Sequence, residues 1–249
     1  MAKQSSFLKI EGTLDDITFY KSKDGYLVRK KGGVSKNRIN SDPAFARTRE
    51  NGKEFGHSAS SGKTLRRSIL TLLNQSKDAR VVSRVTKVMS QIKNADLTSP
   101  RGERQVAIGL ATPEGKAFLK RFDFNNNALL DTVLLTEHTL DTVTGEITIP
   151  NLVPGKELGV PQGATHVSFT AGFLNLDFST GDKDLQLSPE TNTAINFTSS
   201  TVTLTPAGIP AGSGNSIYLI HIGFFQEVNG VQYSLNNGAY NTLNLLEVL

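Results

Sequence analysis

The sequence predicts an α+β fold with three parts: an N-terminal β-hairpin arm, a small basic helical segment, and a C-terminal antiparallel β-sandwich of jelly-roll or immunoglobulin-like type. Three observations carry that expectation. An Asp24-Gly25 pair separates two β-rich runs, 17–20 and 26–30, and Asp-Gly suits the positive φ of a hairpin turn. Apolar residues recur at helical spacing between about residues 62 and 94. From residue 128 onward they recur with period two, punctuated by Gly, Pro and Asn. About seven to nine short strands of that kind suit a sandwich. The expected divisions are 1–41 (arm and linker), 42–127 (helical) and 128–249 (sandwich).

In chain order, strands are expected at 7–10, 17–20 and 26–30, followed by a linker over 32–42. Asp42-Pro43 reads as a helix start, since Asp caps and Pro suits the first turn. That helix runs towards Phe55, with Phe45 and Phe55 as apolar anchors, and the Ser- and Gly-rich stretch 56–62 weakens or breaks it. A second helix, 62–74, carries Leu65, Ile69, Leu72 and Leu73. A third, 77–94, carries Val81, Val85, Val88, Met89 and Ile92, with Arg80, Arg84 and Lys87 in a row beside that stripe. Short helical turns are expected at 103–110 and 113–120, with Phe118, Phe122 and Phe124 buried. Asn125-Asn126-Asn127 marks the entry to the β-rich part.

There, strands at 132–136 and 146–149 flank a Val143-Thr144-Gly145 turn. Val167, Phe169 and Ala171 alternate, then the phase slips to Leu174, Leu176 and Phe178, which predicts a bulge near Gly172. Val202 and Leu204 mark another strand. The run 217–225 is apolar on both faces, as a covered central strand requires. Asn229-Gly230 predicts a hairpin, and Leu243, Leu245 and Glu247 a last strand.

Composition excludes some chemistry. The 249 residues include no Cys, so there is no disulfide scaffold, thiolate zinc site or cysteine nucleophile. No apolar run is long enough for a membrane span. The start, MAKQSSFLKIEG, lacks the apolar core of a signal peptide, and a cytoplasmic protein is the expectation. Charge is divided along the chain. Residues 1–105 carry 22 Lys and Arg against 10 Asp and Glu, and residues 106–249 carry 5 against 13. That asymmetry fits three situations: basic and acidic parts of neighbouring copies meeting head to tail, a polyanion such as nucleic acid on the basic part, or solvated helix faces with no partner.

No motif rises to a catalytic or cofactor site. Gly56 to Thr64 ends in Gly-Lys-Thr but places five residues between its glycines, where a phosphate-binding loop needs four, and a charged helix precedes it. His57, His138, His166 and His221 lack metal-ligand spacing, and no Gly-x-Ser-x-Gly elbow supports a triad. Asp177, Asp182 and Asp184 surround a turn without calcium-loop spacing. An enzyme, a cofactor, a metal and a small-molecule substrate are therefore not expected. The candidate contacts for assembly or a polyanion are Tyr20, Tyr26, Arg29, Lys30, Lys31, Arg66, Arg67, Arg80, Arg84 and Lys87. The tyrosines offer stacking faces and the cations offer phosphate or carboxylate partners.

The stretches Gly12 to Tyr20, Asp24 to Gly33, Phe45 to Asn51 and Gly223 to Gly230 together resemble uncharacterised cytoplasmic-type proteins encoded widely in Bacteroidota. The resemblance implies a bacterial source and no catalytic residue. The functional expectation is a structural, self-assembling protein that forms a filament, tube or shell. Its arm docks on a neighbour, and basic helices meet acidic β-parts of the next copy. A nucleic-acid-associated protein is the alternative.

Overall fold

Lys23 and Asp24 turn the chain where the sequence places the hairpin, and Gly25 takes a φ of +101° there. A residue with a Cβ adopts that value poorly. The computed structural model describes residues 2–30, 32–76 and 78–249, with Asn236 described by its backbone. Around the turn lie β1 (Ala2–Lys3), β2 (Gly12–Leu14), β3 (Ile17–Ser22) and β4 (Gly25–Lys30), in the antiparallel order β1-β4-β3-β2.

The strand expected at 7–10 does not form. The Gln4 side chain accepts from the Ile10 N–H and donates to the Ile10 carbonyl, at 3.0 and 3.1 Å. Lys9 Nζ reaches back to the carbonyls of Gln4 and Ser6. These local bonds curl residues 4–10 and leave the ladder to β1 and β2. The linker expected over 32–42 contains a helix, α1 (Lys36–Ser41), because the Ser35 hydroxyl caps it through the Arg38 N–H. Asp42 caps the 3-10 turn Pro43–Phe45 through the Ala44 N–H. The chain divides into two units, 1–50 and 51–249. In the first, the buried side chain among the described residues is Leu27 alone.

The predicted break at 56–62 is absent: α2 (Ala46–Ser68) is continuous. Its small residues form a contact stripe. Ser58, Ser61 and Ser68 are buried and donate to carbonyls one turn back. A Cβ on Gly62 would lie 3.1 Å from Val85 of the next long helix. Small residues here let two backbones approach, and that packing outweighs glycine's weak helix propensity. After α2 come α3 (Leu70–Leu73), α4 (Val81–Asn94), α5 (Val106–Leu110) and α6 (Pro113–Leu119). Gly109 is tighter still, since a Cβ there would sit 2.0 Å from the Ile92 carbonyl oxygen. Phe55 and Phe118, expected as buried, are 62% and 44% exposed.

The remaining elements are β5 (Phe122–Asp123), α7 (Leu130–Val133), β6 (Thr139–Leu140), β7 (Ile147–Leu152), α8 (Pro154–Glu157), β8 (His166–Leu176), β9 (Lys183–Leu187), β10 (Thr191–Ala194), β11 (Ser200–Leu204), β12 (Asn215–Val228), β13 (Val231–Ser234), a 3-10 turn Leu235–Gly238, and β14 (Thr242–Val248). No strand forms at 132–136: Thr132 and Val133 end the helix α7, which starts where the Asp123 carboxylate accepts the Leu130 N–H at 2.9 Å, and Leu134 makes an isolated bridge to Leu158. The Asn229-Gly230 hairpin forms as expected, pairing Val228 with Val231.

Among the described residues of this unit, seven strands form one antiparallel sheet along β10-β8-β12-β14-β5, with β9 beside β8 and β13 beside β12. A smaller sheet runs β11-β7-β6, and no barrel closes. One core joins Leu65, Ile69, Met89 and Ile92 of the helices to Leu174, Leu219, Leu243 and Leu245 of the large sheet. The other joins Phe169, Phe173, Ile220 and Phe224 to Ile147, Ile149 and Val202 of the small sheet. The fold is thus mixed α+β, with helices on one face of the large sheet and strands on the other. The helical part expected over 42–127 contributes Leu65, Ile69, Met89 and Ile92 to a core shared with the strands that follow.

No bulge interrupts β8 at Gly172. Its pairing with β12 runs unshifted from Leu176 opposite Asn215 to His166 opposite Phe225. The apparent phase slip has another cause. Phe169, Ala171 and Phe173 enter one core, while Leu174 and Leu176 enter the other. The register shift lies between β12 and β14, at Tyr218 and Leu219.

Candidate functional site

Alternation along β3 and β4 sorts the first unit's sheet into two faces. Pairing places Phe19 opposite Val28, Ile17 opposite Lys30 and Lys21 opposite Tyr26, with Leu14 and Ala2 alongside on β2 and β1. Leu14 is 67% exposed and Ile17 41%. Along this apolar face runs a groove of about 790 Å3, lined by Leu14, Ile17, Val28, Lys30 and the Asp15-Asp16 turn, among others. The opposite face carries Tyr20, Leu27, Arg29 and the Thr13–Thr18 pair.

Tyr20 and Tyr26 therefore lie on opposite faces and form no joint stacking platform. Each ring already has a cation over it: Arg29 lies 5.5 Å from the Tyr20 centroid, and Lys21 lies 5.6 Å from that of Tyr26. Lys30 is exposed on β4. Lys31 lies outside the described residues.

The helical candidates separate into two kinds. Arg66 and Arg67 line a groove of about 620 Å3 with Lys63, Leu70 and Asp78. Arg80 and Lys87 line a neighbouring groove with Phe55, Ala59 and Val82. Arg84, expected in the same exposed row, turns inward. It pairs with Asp78 at 2.6 Å, donates to the carbonyls of Asp123 and Phe124, and lies over the Phe122 ring. Arg84 fastens α4 to the start of the β-rich part, and its Nε, without a hydrogen-bond partner among the described residues, is buried out of a phosphate's reach.

The most highly organised polar cluster is one that sequence reasoning missed. Glu54 of α2 is buried and accepts from both arms of Arg104, at 2.8 and 2.7 Å, from the Gly102 N–H at 2.8 Å, and from Lys93. The Arg104 guanidinium foremost, then Lys93 and the Gly102 N–H, outweigh burial and hold its pKa down to about 2. Burial would raise buried Asp96, but bonds from Ser99, Gln105 and Thr98 outweigh it and keep the group below its ordinary range. His57 Nε2 accepts the Val106 N–H at 2.9 Å, and burial lowers its pKa.

A carboxylate so fully ionised and shared by two cations is no general acid or base near neutrality. The cluster pins loop 95–105 to α2 and α4. Its signal was present but non-local: Glu54, Ser58, Ser61, Gly62, Leu65 and Ser68 fall on one helical stripe, and Lys93 continues the stripe of Val85, Met89 and Ile92.

The near-miss Gly-Lys-Thr segment lies inside α2 and forms no loop. His221 is buried, and its Nε2 has no hydrogen-bond partner among the described residues. Asp177 and Asp182 are taken up in turn bonds, and Asp184 accepts the Ala211 N–H. Among the described residues, no three His, Asp or Glu are grouped to hold a metal, and no helix is long and apolar enough to cross a membrane. Comparison with family models, curated proteins and solved structures gave no match, so geometry alone indicates what these surfaces do.

Proposed function

We propose that this chain is a structural protein that assembles with copies of itself into a filament, tube or shell. The first unit's sheet is the arm that docks on a neighbour, and the sheets of the second unit form a sandwich-like body. One observation carries the reading: a four-stranded sheet with a single buried side chain among its described residues, Leu27, and an apolar face in water. A sheet needs a covered hydrophobic face for independent stability, and a partner supplies it. Segregated charge supports the same reading. Residues 51–121, which hold the helices α2 to α6, carry 14 Lys and Arg against 5 Asp and Glu. Residues 122–249 carry 2 against 12. Opposite charge on separate layers favours ordered contact between copies.

A second reading, a nucleic-acid-associated protein, is favoured by Lys63, Arg66 and Arg67 converging on one groove, although Asp78 shares that groove and weakens a phosphate track. Size-exclusion chromatography and negative-stain microscopy of the purified chain separate the two. Large regular particles, lost on deleting residues 1–31 while the body keeps its circular dichroism, are the expected result. A monomer at every concentration that binds DNA or RNA with a steep salt dependence overturns self-assembly in favour of the second reading.

A further inference from the structure

Resting on the self-assembly reading, we infer that the apolar face of the arm sheet docks on the same face of a second copy, about a two-fold axis parallel to its strands. Leu14, Ile17, Phe19 and Val28 form the centre of that face, and it lines a groove with charge of both signs at one end. Asp15 and Asp16 occupy the β2–β3 turn. Lys30 occupies the end of β4 on this face, opposite Ile17, while Arg29 beside it turns to the other face over the Tyr20 ring.

Within one copy these charges sit at the same level along the strands but on different sides of β3. Rotation by a half-turn about an axis parallel to the strands keeps every residue at its own level and exchanges the two sides. It lays Asp15 and Asp16 over the partner's β4 side, where that copy's Lys30 lies, and does so twice by symmetry. The apolar centres then face each other as two aligned sheets do. An isologous contact requires such a self-complementary patch. A second copy is thus the occupant whose apolar area and charge pattern match the groove, residue against residue. The contact closes at two copies, and continued growth belongs to other surfaces.

The test uses the full chain and sedimentation velocity across a concentration series, with circular dichroism to confirm folding. Leu14→Asp alters an exposed side chain and is expected to abolish the arm contact. The reversals Asp15→Lys with Asp16→Lys, and Lys30→Glu, each set like charges against like in a pair of identical copies. Each is expected to weaken association by about a hundredfold, which is about 2.8 kcal/mol. Mixing the two reversed chains in equal amounts, or combining all three changes in one chain, restores opposite charges at both ends and is expected to restore association.

If the wild-type chain is monomeric throughout, the self-assembly reading itself falls. If it assembles, and Leu14→Asp and both reversals assemble as it does, that reading stands and the two-fold arm contact is overturned. Weakening by the reversals without rescue on mixing also overturns the two-fold pairing.

Discussion

The two antiparallel sheets around β3–β4 and around β8–β12 share a ladder chemistry and differ in what lies on their faces. Every interior strand of the large sheet has helices on one side and strands on the other, so Leu219 and Ile220, adjacent in sequence, belong to different cores. The arm sheet has backbone pairing of comparable regularity over β3 and β4 but a single buried side chain, Leu27, among its described residues. Hydrogen bonding alone makes a ladder; burial decides how firmly it is held, because net hydrogen-bond stability in water is small.

The sharpest way to break this comparison is native-state hydrogen exchange on the dilute chain. Amides of β8 and β12 are expected to exchange only through global unfolding, at about 5–15 kcal/mol for a domain of ordinary stability. Those of β3 and β4 should open locally at a small fraction of that. Equal protection would erase the contrast, and slower exchange of the arm at high concentration would sharpen it. Next in size, Glu54→Ala leaves the buried Lys93 and the half-buried Arg104 without their shared partner, and should cost about 3–5 kcal/mol in urea unfolding. Phe224→Ala, a fully buried ring on β12, belongs to the same range of about 3–5 kcal/mol. Ile17→Ala on the arm should change the body's unfolding midpoint by less than the equivalent of about 0.5 kcal/mol.

Acid offers a further separation. Burial pushes His221 down to about 4, so the folded chain keeps it neutral while the unfolded chain protonates it near 6.5. The unfolded state binds more protons between those values, so stability is full above about pH 6.5, falls as pH drops towards 4, and levels off below. The loss is about 3 kcal/mol. His57 and His138, also lowered by burial, add to it with the same sign. His221→Leu should flatten the pH dependence of the urea midpoint, and an unchanged slope would count against the assignment. A small effect is also expected within the arm. Arg29→Gln removes the cation over Tyr20 for about 0.5–1 kcal/mol, to be read as faster exchange of β3 amides.

The same contrast explains what could be read from residues alone. The Asp-Gly and Asn-Gly hairpins, the α4 stripe and the two-sided run in β12 were legible because each signal is local and periodic. The break expected in α2 was not there, since Gly62 and the buried serines answer to α4, some twenty residues on, and not to their own propensity. The bulge expected in β8 came from treating one face as buried when both are. The curled segment 4–10 depends on Gln4 bonding six residues away, which no alternation pattern contains. Of the candidate contacts, Arg29, Lys30, Arg67, Arg80 and Lys87 are exposed as a surface role needs. Arg84 shared their helical period, but the helical phase alone could not say that Asp78 and two carbonyls would draw it in.

The fourteen-residue strand β12 is the party wall between the helical layer and the small sheet. Neither layer can shed its neighbour without exposing a flank of the same strand, so melting should spread through both as one event. Variation should be conserved in volume along β12 on both sides at once, a tighter restriction than either layer would impose alone.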